Sequence, residues 1–526
     1  MSFGLPQGII DFFDVDKAIA RIKNDLQSDF IYAPHLNAIY ALAKTELQAG
    51  LFGKLATGTF DPSLPVTIEV PKASGLGRPG SILLPYERLI YQLVVDDIAV
   101  TADLNLDRTS VFSNKLLTAD PNGFMFEPTG DCYAEYKTAI ARHAQNPRFS
   151  HVIQTDIVSH FQNLNQHNLI NLLTSAGCNA DEAKFLERML SQLAEKSSRG
   201  IIQGVMPSDF LGNFSLCSID GQLAVNGLTF ARYVDDISIF LNGEQECRSV
   251  KLKLSHWLRK EGLDLSEAKT KVLPVAAFLQ EETRVEQMFD EAKDELSGSF
   301  DRNDFYRSAI SWDFPQDDDE EADDQEVILL ATRNLFDMNV DVSVKDKIDK
   351  FCIPTFIASF DDYAINALLT RFISRPHLAQ LYAKYFRRMI TVGHLNAARL
   401  EPLLADQTII SEYQYMWLYA ALMVVEPGRV GRPSIAFALQ QYRNANISPS
   451  LRAVSAIFVA KYGTPVEKRL IKDSYAQEQS DYVRAAILYS ARYFTAAERA
   501  TCYRAWGGHS ELNSLVVSAS RNTPAA

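Results

Sequence analysis

Two adjacent carboxylates lie between two apolar runs in the segment "FARYVDDISIF", residues 230–240. Asp235 and Asp236 repel each other, and a charged pair of this kind is costly to bury without a partner. The flanking runs predict paired strands, yet tight hairpins prefer Asn-Gly or Asp-Gly at the turn. A turn that breaks this local preference is typical of a functional site. A plain polar turn is the alternative, because so short a motif is weak by itself.

A third carboxylate, Asp156, ends the β-rich run in "HVIQTDIVSHF". A carboxylate at a strand end and two on a neighbouring hairpin can meet at one point. Three such groups can hold two divalent cations, which stabilise the attacking and leaving oxygens of an in-line phosphoryl displacement. All-oxygen ligands completed by substrate phosphates suit Mg²⁺, with Mn²⁺ as an alternative.

A glycine-containing segment, "IIQGVMPSDFLGNF", lies between these carboxylates in the sequence. It holds Gln203 and Gly204, followed by Ser208 and Asn213. Glycine lets the backbone approach a ligand closely. The chain is therefore expected to pass here beside a bound nucleotide and its partner base.

The elements that must position these residues mix strands and helices. Strands are predicted at 64–70 and in "SHVIQTDI", and helices after an initial turn in "SILLPYERLIYQLVVDDIAVTADL" and in "FQNLNQHNLINLLTSAG". Asp96 and Asp97 fall within the first of these helices, where exposed helix carboxylates are the simpler interpretation. The order of elements is α+β and not a regular βαβ alternation.

An acidic run, Gln316–Glu326, holds eight acids and no base. Like charges in a block resist packing, so the run predicts a solvated linker. We therefore predict an α+β domain at 1–290, a linker region at 291–330 and an all-α domain at 331–526. In the last, 450–463 and 481–494 are alike, which favours stacked HEAT-like helix pairs over the alternative of an irregular bundle.

The whole chain has 526 residues, a formal charge of −13 and a pI of about 5.3. An acidic chain is not a general nucleic-acid binder, so any nucleic acid is expected in a local groove. Six scattered cysteines without a CxxC pair argue against a zinc site or a disulfide framework. No apolar stretch reaches the length of a membrane span, and the N-terminus lacks a signal-peptide pattern. These features predict a cytoplasmic protein with no membrane partner.

The motifs, taken in order, resemble the palm motifs of reverse transcriptases. The resemblance covers about 200 residues, from Lys72 to Lys271. The corresponding residues are Asp156 with Phe161 for motif A, Gln203 and Gly204 with Ser208 and Asn213 for motif B, Tyr233 to Asp236 for motif C, and Lys269 in "GLDLSEAKTKVL" for motif D. Upstream, "PKASGLGRPGSILLPYER" resembles the fingers segment, with Lys72 and Arg78 as its triphosphate ligands.

The resemblance assigns roles to the three carboxylates and to Lys269. Asp156 and Asp235 would ligate the metal ions, and Asp236 would ligate them or lie just behind the ligands, with a plain turn carboxylate as its alternative. Lys269 would protonate or neutralise the leaving pyrophosphate, and Lys271 is its rival.

The resemblance also assigns the nucleotide contacts. Phe161 would lie under the sugar and exclude a 2′-hydroxyl, which favours deoxynucleoside triphosphates (dNTPs). Tyr233 would pack near the primer end or fill the hairpin. Lys72 and Arg78 would hold the phosphates, and Gln203 with Gly204 would pass beside the nucleotide. Ordinary packing in the core or at the surface is the alternative for the aromatic and basic side chains.

The chain departs from the family in motif B. Ile202 replaces the usual proline, Val205 the usual serine, and Asp209 follows Ser208 where a second proline is common. Because this region lies near the template in template-copying enzymes, the departures put ordinary template reading in doubt.

No retroviral RNase H or group II maturase pattern follows Lys271. The order of domains resembles instead the abortive-infection reverse transcriptases of bacterial phage defence, of the AbiK type. That resemblance implies a homo-oligomer that makes DNA without a template and uses its own tyrosine as primer. The single-stranded DNA product would then be covalently attached, and the phage component sensed is unknown. Tyr32 and Tyr40, in "SDFIYAPHLNAIYALAK", are the priming candidates.

Two other functions stay open. One is a template-dependent reverse transcriptase that works with a structured RNA, as in retrons. The other is a toxin whose helical domain is the effector. Arg504 and His509 have the Arg-x4-His spacing of some nucleases, but the intervening Gly507 and Gly508 are unfavourable in a helix.

Overall fold

The computed structural model describes residues 4–117, 120, 123–285, 287–289, 322–405 and 408–522. Its Cα positions form two compact units that interleave along the chain. The first comprises Met1–Asp25, Leu51–Leu64 and Tyr86–Met288, and the second comprises Leu26–Gly50, Pro65–Pro85 and Phe289–Ala526. The contiguous domains 1–290 and 331–526 stay a prediction, because parts of the N-terminal segment pack within the second unit. The predicted linker at 291–330 lies mostly outside the described residues.

The first unit contains a four-stranded antiparallel sheet. Its strands are β3 (His151–Thr155), β4 (Thr229–Tyr233), β5 (Asp236–Leu241) and β6 (Lys271–Pro274), in the order β4-β5-β3-β6. The hairpin β1 (Val66–Pro71) and β2 (Gly77–Ile82) belongs to the second unit.

Successive side chains along each strand point to opposite faces of this sheet, and both faces carry apolar side chains. On one face, Ile153 and Ile239 join a core with helices α11 (Cys217–Val225) and α12 (Glu244–Lys260). On the other, Val152 and Phe240 pack against α6 (Thr129–Ala144) and α13 (Val275–Glu282). Helices on both faces fix the register of the sheet, because a slip by one residue would exchange the two cores.

Further helices lie wholly or partly within the first unit. They are α1 (Gln7–Ile10), α2 (Val15–Asp25), α4 (Lys44–Thr57), α5 (Pro85–Ala102), α7 (His160–Asn163), α8 (Gln166–Ser175), α9 (Ala180–Leu193) and α10 (Met206–Ser215). Helix α3 (Pro34–Leu42) belongs to the second unit.

The second unit is built mainly from helices. They are α14 (Ala322–Asp337), α15 (Val342–Ala358), α16 (Ile365–Ser374), α17 (Ala379–Thr391), α18 (Ala397–Ala405), α19 (Glu412–Leu422), α20 (Arg432–Arg443), α21 (Pro449–Tyr462), α22 (Pro465–Asp473), α23 (Asp481–Ser490), α24 (Ala496–Trp506) and α25 (Glu511–Arg521). The helices α15, α17, α19, α21, α23 and α25 form a series in which each contacts the next. The last of them, α25, also contacts α3.

Several hydrogen bonds in this stack recur at a separation of 33 residues. Tyr382 donates to Asp349, Tyr413 to Gln380, and Arg387 to the carbonyl of Ala420, each 33 residues apart. The similar segments 450–463 and 481–494 are largely the neighbouring helices α21 and α23. This is the nearest-neighbour packing of stacked helix pairs. Their assignment to the HEAT type stays a prediction.

No helix in the described ranges combines the length and apolar character that crossing a membrane requires.

Candidate active site

The pairing of β3 with β5 brings two distant carboxylate positions together. Thr155 at the end of β3 is opposite Ile237, so the next pair in register is Asp156 opposite Asp236. Asp156 is 8% exposed, whereas Asp236 begins β5 at the surface. The antiparallel register therefore places the predicted third carboxylate beside the predicted pair.

The hairpin turn is not the Asp-Asp turn that the sequence suggests. Tyr233 pairs with Asp236, so the two central residues of the turn are Val234 and Asp235. Val234 has a φ of +55°, a region that β-branched residues rarely adopt. Glycine is favoured where a tight hairpin needs a positive φ at its first central position. The backbone at Val234 is therefore strained, which is common at functional sites.

A buried polar network holds this turn in place. The Val234 N–H donates to Ser113 Oγ at 2.8 Å, and the Val234 carbonyl accepts from Arg232 Nη1 at 2.8 Å. Ser113 Oγ donates in turn to Asn213 Oδ1 at 3.0 Å, and Arg232 Nη1 donates to the same oxygen at 2.7 Å. Both backbone groups of the strained residue are thus fixed by side chains from other elements.

The charge of Arg232 is balanced inside the same network. Its Nε and Nη2 donate to the two carboxylate oxygens of Asp220 at 2.8 and 2.5 Å. Arg232 is fully buried and Asp220 is 5% exposed. Sequence reasoning missed this pair. Its signal was Arg232, a charged residue within the apolar run 229–233, because a buried arginine needs a partner.

Lys269 reaches the carboxylates through backbone pairing between two loops. The Val158 N–H donates to the Asp264 carbonyl at 2.9 Å, and the Ser266 N–H donates to the Asp156 carbonyl at 2.8 Å. These bonds hold the loop so that Lys269 Nζ lies 2.8 Å from Asp156 Oδ2. Its rival Lys271 instead pairs with Glu281 at 2.9 Å.

Burial and neighbouring carboxylates raise the pKa values of Asp235 and Asp236. Desolvation, followed by the charge of Asp156, raises the pKa of Asp235 to about 6. Desolvation and the charges of Asp235 and Asp156 raise the pKa of Asp236 to about 7. Desolvation opposes the charge of Lys269, but the hydrogen bond to Asp156 and the nearby carboxylates raise its pKa overall. The site concentrates more negative charge than one lysine offsets.

The donor chemistry of this site fits Mg²⁺. Asp156, Asp235 and Asp236 offer only carboxylate oxygens, which Mg²⁺ prefers, and paired cations would relieve their mutual repulsion. In the part of the chain that the structure describes, no three acidic, histidine or cysteine side chains, these carboxylates included, form a group that could hold a metal ion by themselves. A cation held here would therefore take its remaining ligands from substrate phosphates and water, as Mg²⁺ usually does.

Residues 70–288 match the family described as reverse transcriptase (RNA-dependent DNA polymerase). This segment is a reverse transcriptase domain. The chain is therefore a nucleotidyltransferase of the RNA-directed DNA polymerase class, as its motifs predict. No curated protein matches the chain.

Solved telomerase structures are similar to the chain at low identity. Apo telomerase from Candida tropicalis aligns over 90% of this chain and 73% of that chain, with 10% identity and a TM-score of 0.31. Telomerase from Candida albicans in complex with a TWJ fragment of telomeric RNA aligns over 69% and 64%, with 9% identity and a TM-score of 0.31. The corresponding Candida tropicalis complex aligns over 72% and 65%, with 14% identity and a TM-score of 0.32. The chain covers slightly less than two thirds of each RNA-bound telomerase.

Phe161 of the reverse transcriptase domain rests on a glycine of the motif B helix. A Cβ added to Gly212 would lie 2.8 Å from Cζ of Phe161. The absence of a side chain at Gly212 thus lets the half-buried Phe161 ring lie against α10. Sequence reasoning named Phe161 and Asn213 but missed Gly212, which lies against the Phe161 ring.

The segment before α10 is fixed by charged residues from the N-terminal part of the first unit. Asp25 accepts from the Met206 N–H at 2.8 Å and from Arg88 Nη2 at 2.6 Å, so it caps a helix whose own N-cap, Val205, cannot. Burial and the charge of Asp25 raise the pKa of Asp209 to about 8. Asp209, one of the departures from the family pattern, is thus part of this buried cluster.

Gln203 and Gly204 precede this helix in an irregular segment. Gly204 has a φ of +89°, which suits glycine alone, and Gln203 Oε1 is enclosed without a hydrogen-bond donor among the described residues. Tyr233 packs into an aromatic cluster, with its ring centroid 5.4 Å from that of Tyr133 and 5.7 Å from that of Tyr136. Its position therefore also suits the simpler interpretation of a hairpin-filling side chain.

The remaining predicted residues belong to the second unit. Lys72 and Arg78 lie on the β1–β2 hairpin, whose loop is closed by a bond from the Lys72 N–H to the Leu76 carbonyl at 2.7 Å. Tyr32 is partly exposed and Tyr40 is 2% exposed. Helix α24 ends at Trp506, before His509, so Arg504 and His509 do not share a helix.

The raised pKa values predict how stability responds to pH. An acid whose pKa is higher in the folded chain binds more protons when folded, so stability falls as pH rises from about 4 to about 7. We expect Asp236→Asn to raise the Tm of the metal-free protein at pH 8 and to have less effect at pH 5. Calorimetry with and without EDTA measures this, and Asp61→Asn, an exposed acid of the same unit, is the control.

Magnesium provides the second half of this test. At pH 8, Mg²⁺ should raise the Tm of the wild-type protein and raise it much less in Asp236→Asn. An equal rise in both proteins would show that the cation binds elsewhere.

The network around Val234 predicts an effect of Ser113→Ala on catalysis. The substitution leaves the Val234 N–H without its acceptor, which costs about 1–3 kcal/mol of unfolding free energy. Because the turn carries Asp235, we expect kcat to fall while the KM for dNTPs changes little. Ser255→Ala, a partly exposed serine of α12 whose hydroxyl accepts from Arg259, is the matched control. A lowered Tm with an unchanged kcat would show that Ser113 supports the fold alone.

Proposed function

We propose that the chain polymerises deoxynucleoside triphosphates into DNA, with Asp156, Asp235 and Asp236 holding paired Mg²⁺ ions. The observation that carries this proposal is the β3–β5 register, which brings Asp156 beside the Asp235–Asp236 hairpin. When bound, paired cations stabilise the attacking and leaving oxygens of phosphoryl transfer.

Other residues of the chain fix the position of the carboxylates and offset the negative charge of the reaction. The Ser113 and Arg232 bonds to Val234 fix the turn that carries Asp235. Lys269 lies within hydrogen-bond distance of Asp156 and is placed to neutralise or protonate a leaving pyrophosphate. Its raised pKa holds it in the charged form, which suits neutralisation of the pyrophosphate charge.

Phe161 is proposed to select the sugar. Its ring is held against Gly212, where a 2′-hydroxyl beneath the nucleotide would meet it.

The Phe161→Ala variant tests sugar selection. We expect the preference for dNTPs over ribonucleotides, measured as the ratio of their kcat/KM values, to fall by roughly 10- to 100-fold, because a steric contact is lost. The kcat/KM for dNTPs should change much less than the ratio. An unchanged ratio would assign Phe161 to packing alone.

We further propose that synthesis starts on a tyrosine of the chain without a template, in an anti-phage abortive-infection role. Support comes from the resemblance in domain order and from the altered motif B. The usual proline and serine positions there are the buried apolar residues Ile202 and Val205. The homo-oligomer and the covalently attached single-stranded DNA belong to the same proposal.

Burial favours one priming tyrosine over the other. Tyr40 is 2% exposed within α3, whereas Tyr32 is partly exposed, with its ring centroid 6.2 Å from that of Trp417. A phenol that attacks a nucleotide must reach solvent, so Tyr32 is the better candidate.

Incubation of the purified chain with Mg²⁺ and labelled dNTPs, without template, tests protein priming. We expect a DNase-sensitive increase in mass on a denaturing gel. Asp235→Ala should abolish it because one carboxylate ligand is lost. Tyr32→Phe should also abolish it, whereas Tyr40→Phe serves as the matched control and should retain it if it folds.

The outcomes separate the candidate functions. DNA that forms only after a primed RNA template is added, with no protein adduct, would favour a template-dependent enzyme with an RNA partner. An adduct that persists in Asp235→Ala would contradict the assignment of the active site. The Tm of each variant, measured beside the wild type, separates lost activity from lost folding.

A further inference from the structure

Phe161 is held between helix α10 and the segment that leads into that helix. The tip of its ring lies against Gly212, where a Cβ would be only 2.8 Å from Cζ and 3.0 Å from Cε1. Its backbone carbonyl accepts from the Ile201 N–H at 2.9 Å. The bond to Ile201 fixes the backbone of Phe161, so the direction of the ring depends on the side chains around it.

The preceding residue, His160, is a buried polar side chain beside that ring. His160 is 2% exposed, and its ring centroid lies 5.4 Å from that of Phe161. Its Nε2 lies 3.0 Å from Oγ of Ser215, the last residue of α10. Its Nδ1 is enclosed without a hydrogen-bond partner among the described residues. One described hydrogen bond, the one to α10, therefore orients the imidazole.

The direction of this hydrogen bond follows from a second bond that Ser215 makes. Ser215 Oγ also donates to the Gly212 carbonyl at 2.7 Å. A hydroxyl has one proton to donate, so Ser215 must accept from the Nε2–H of His160. Burial and the charge of Arg232 lower the pKa of His160 to about 3, so the imidazole is neutral at pH 7 and carries its proton on Nε2.

These contacts join the Phe161 ring to α10 by two routes that end on the same residue. One is the direct contact of the ring with Gly212. The other passes from His160 through Ser215 to the Gly212 carbonyl. A buried imidazole is costly unless it is hydrogen-bonded, and an apolar side chain would pack here without that cost. What the imidazole adds is a fixed distance between α7 and the glycine that receives the ring.

We propose that His160 and Ser215 are positioning residues that hold the Phe161 ring against Gly212 and so determine how strictly the site excludes ribonucleotides. Neither side chain has to touch the nucleotide, because their hydrogen bond acts through the direction of the ring. A ring that can turn away from Gly212 leaves room for a 2′-hydroxyl, whereas a fixed ring does not. This inference rests on the proposed selection of the sugar by Phe161.

The ratio of kcat/KM for dATP to kcat/KM for ATP, measured with the full chain and Mg²⁺, tests this role. We expect Ser215→Ala and His160→Leu each to lower the ratio by roughly three- to tenfold, because a steric contact is loosened and not removed. The fall should come from a higher kcat/KM for ATP. A purely structural role would instead lower kcat/KM for both nucleotides alike and leave the ratio unchanged, which would overturn the proposal.

A rescue variant and a double variant test the hydrogen bond itself. His160→Gln keeps an N–H donor for Ser215 and should retain most of the ratio. His160→Leu combined with Ser215→Ala should lower the ratio no further than either change alone, because both remove the same bond. Full additivity, or a ratio as low in His160→Gln as in His160→Leu, would overturn the role of the bond.

Ser490→Ala is the matched control for Ser215→Ala. Ser490 is also a fully buried helical serine, and its hydroxyl donates to the Ala486 carbonyl at 2.7 Å. We expect this variant to keep the wild-type ratio. An equal fall in Ser490→Ala would show that the ratio follows general loss of stability, and this would overturn the proposal.

Two further measurements separate this inference from the proposed function. A crystal structure of Ser215→Ala, which needs no activity, should show the Phe161 ring displaced from Gly212 or in two orientations, and an unmoved ring would overturn the inference. Gly212→Ala and Phe161→Ala change the ring directly. An unchanged ratio in both would overturn the selection of the sugar by Phe161, whereas a changed ratio in both with a wild-type ratio in Ser215→Ala would overturn the positioning role alone.

Discussion

The buried ion pair between Arg232 and Asp220 is the interaction on which the catalytic hairpin depends. Arg232 uses this pair to neutralise its charge and the rest of its guanidinium to bind Asn213 and the Val234 carbonyl. Removing one partner of such a pair leaves an uncompensated buried charge, which is strongly destabilising. The pair therefore holds strand β4, the motif B helix and the strained turn in one arrangement.

This rigidity offsets the electrostatic repulsion at the site. Besides desolvation, the charge of Asp156 raises the pKa of Asp235, and the charges of Asp235 and Asp156 raise the pKa of Asp236, so the carboxylates of the site repel one another. The network from Ser113 to Asp220 keeps them together without a cation. The network thus preorganises the turn, at a cost in stability that the proposed divalent ions would relieve.

The reverse transcriptase domain was predictable because its chemistry is local in sequence. Carboxylates at strand ends, a glycine before a helix and a lysine in a loop each appear within a short motif. Arg232 with Asp220, Phe161 on Gly212, and Asp25 at the start of α10 were not predictable in this way. Each joins elements far apart along the chain, and only the sheet register and helix packing bring them into contact.

The sequence by itself determined the candidate metal-binding residues, the α+β character of the first region and the helical character of the last. Apolar periodicity and turn residues act over a few positions, so they are legible without the fold. Tertiary structure alone decided that Val234 and Asp235 form the turn, and that Lys269 and not Lys271 meets Asp156. It also decided that the β1–β2 hairpin packs within the helical unit, because such long-range contacts depend on which buried surfaces complement each other.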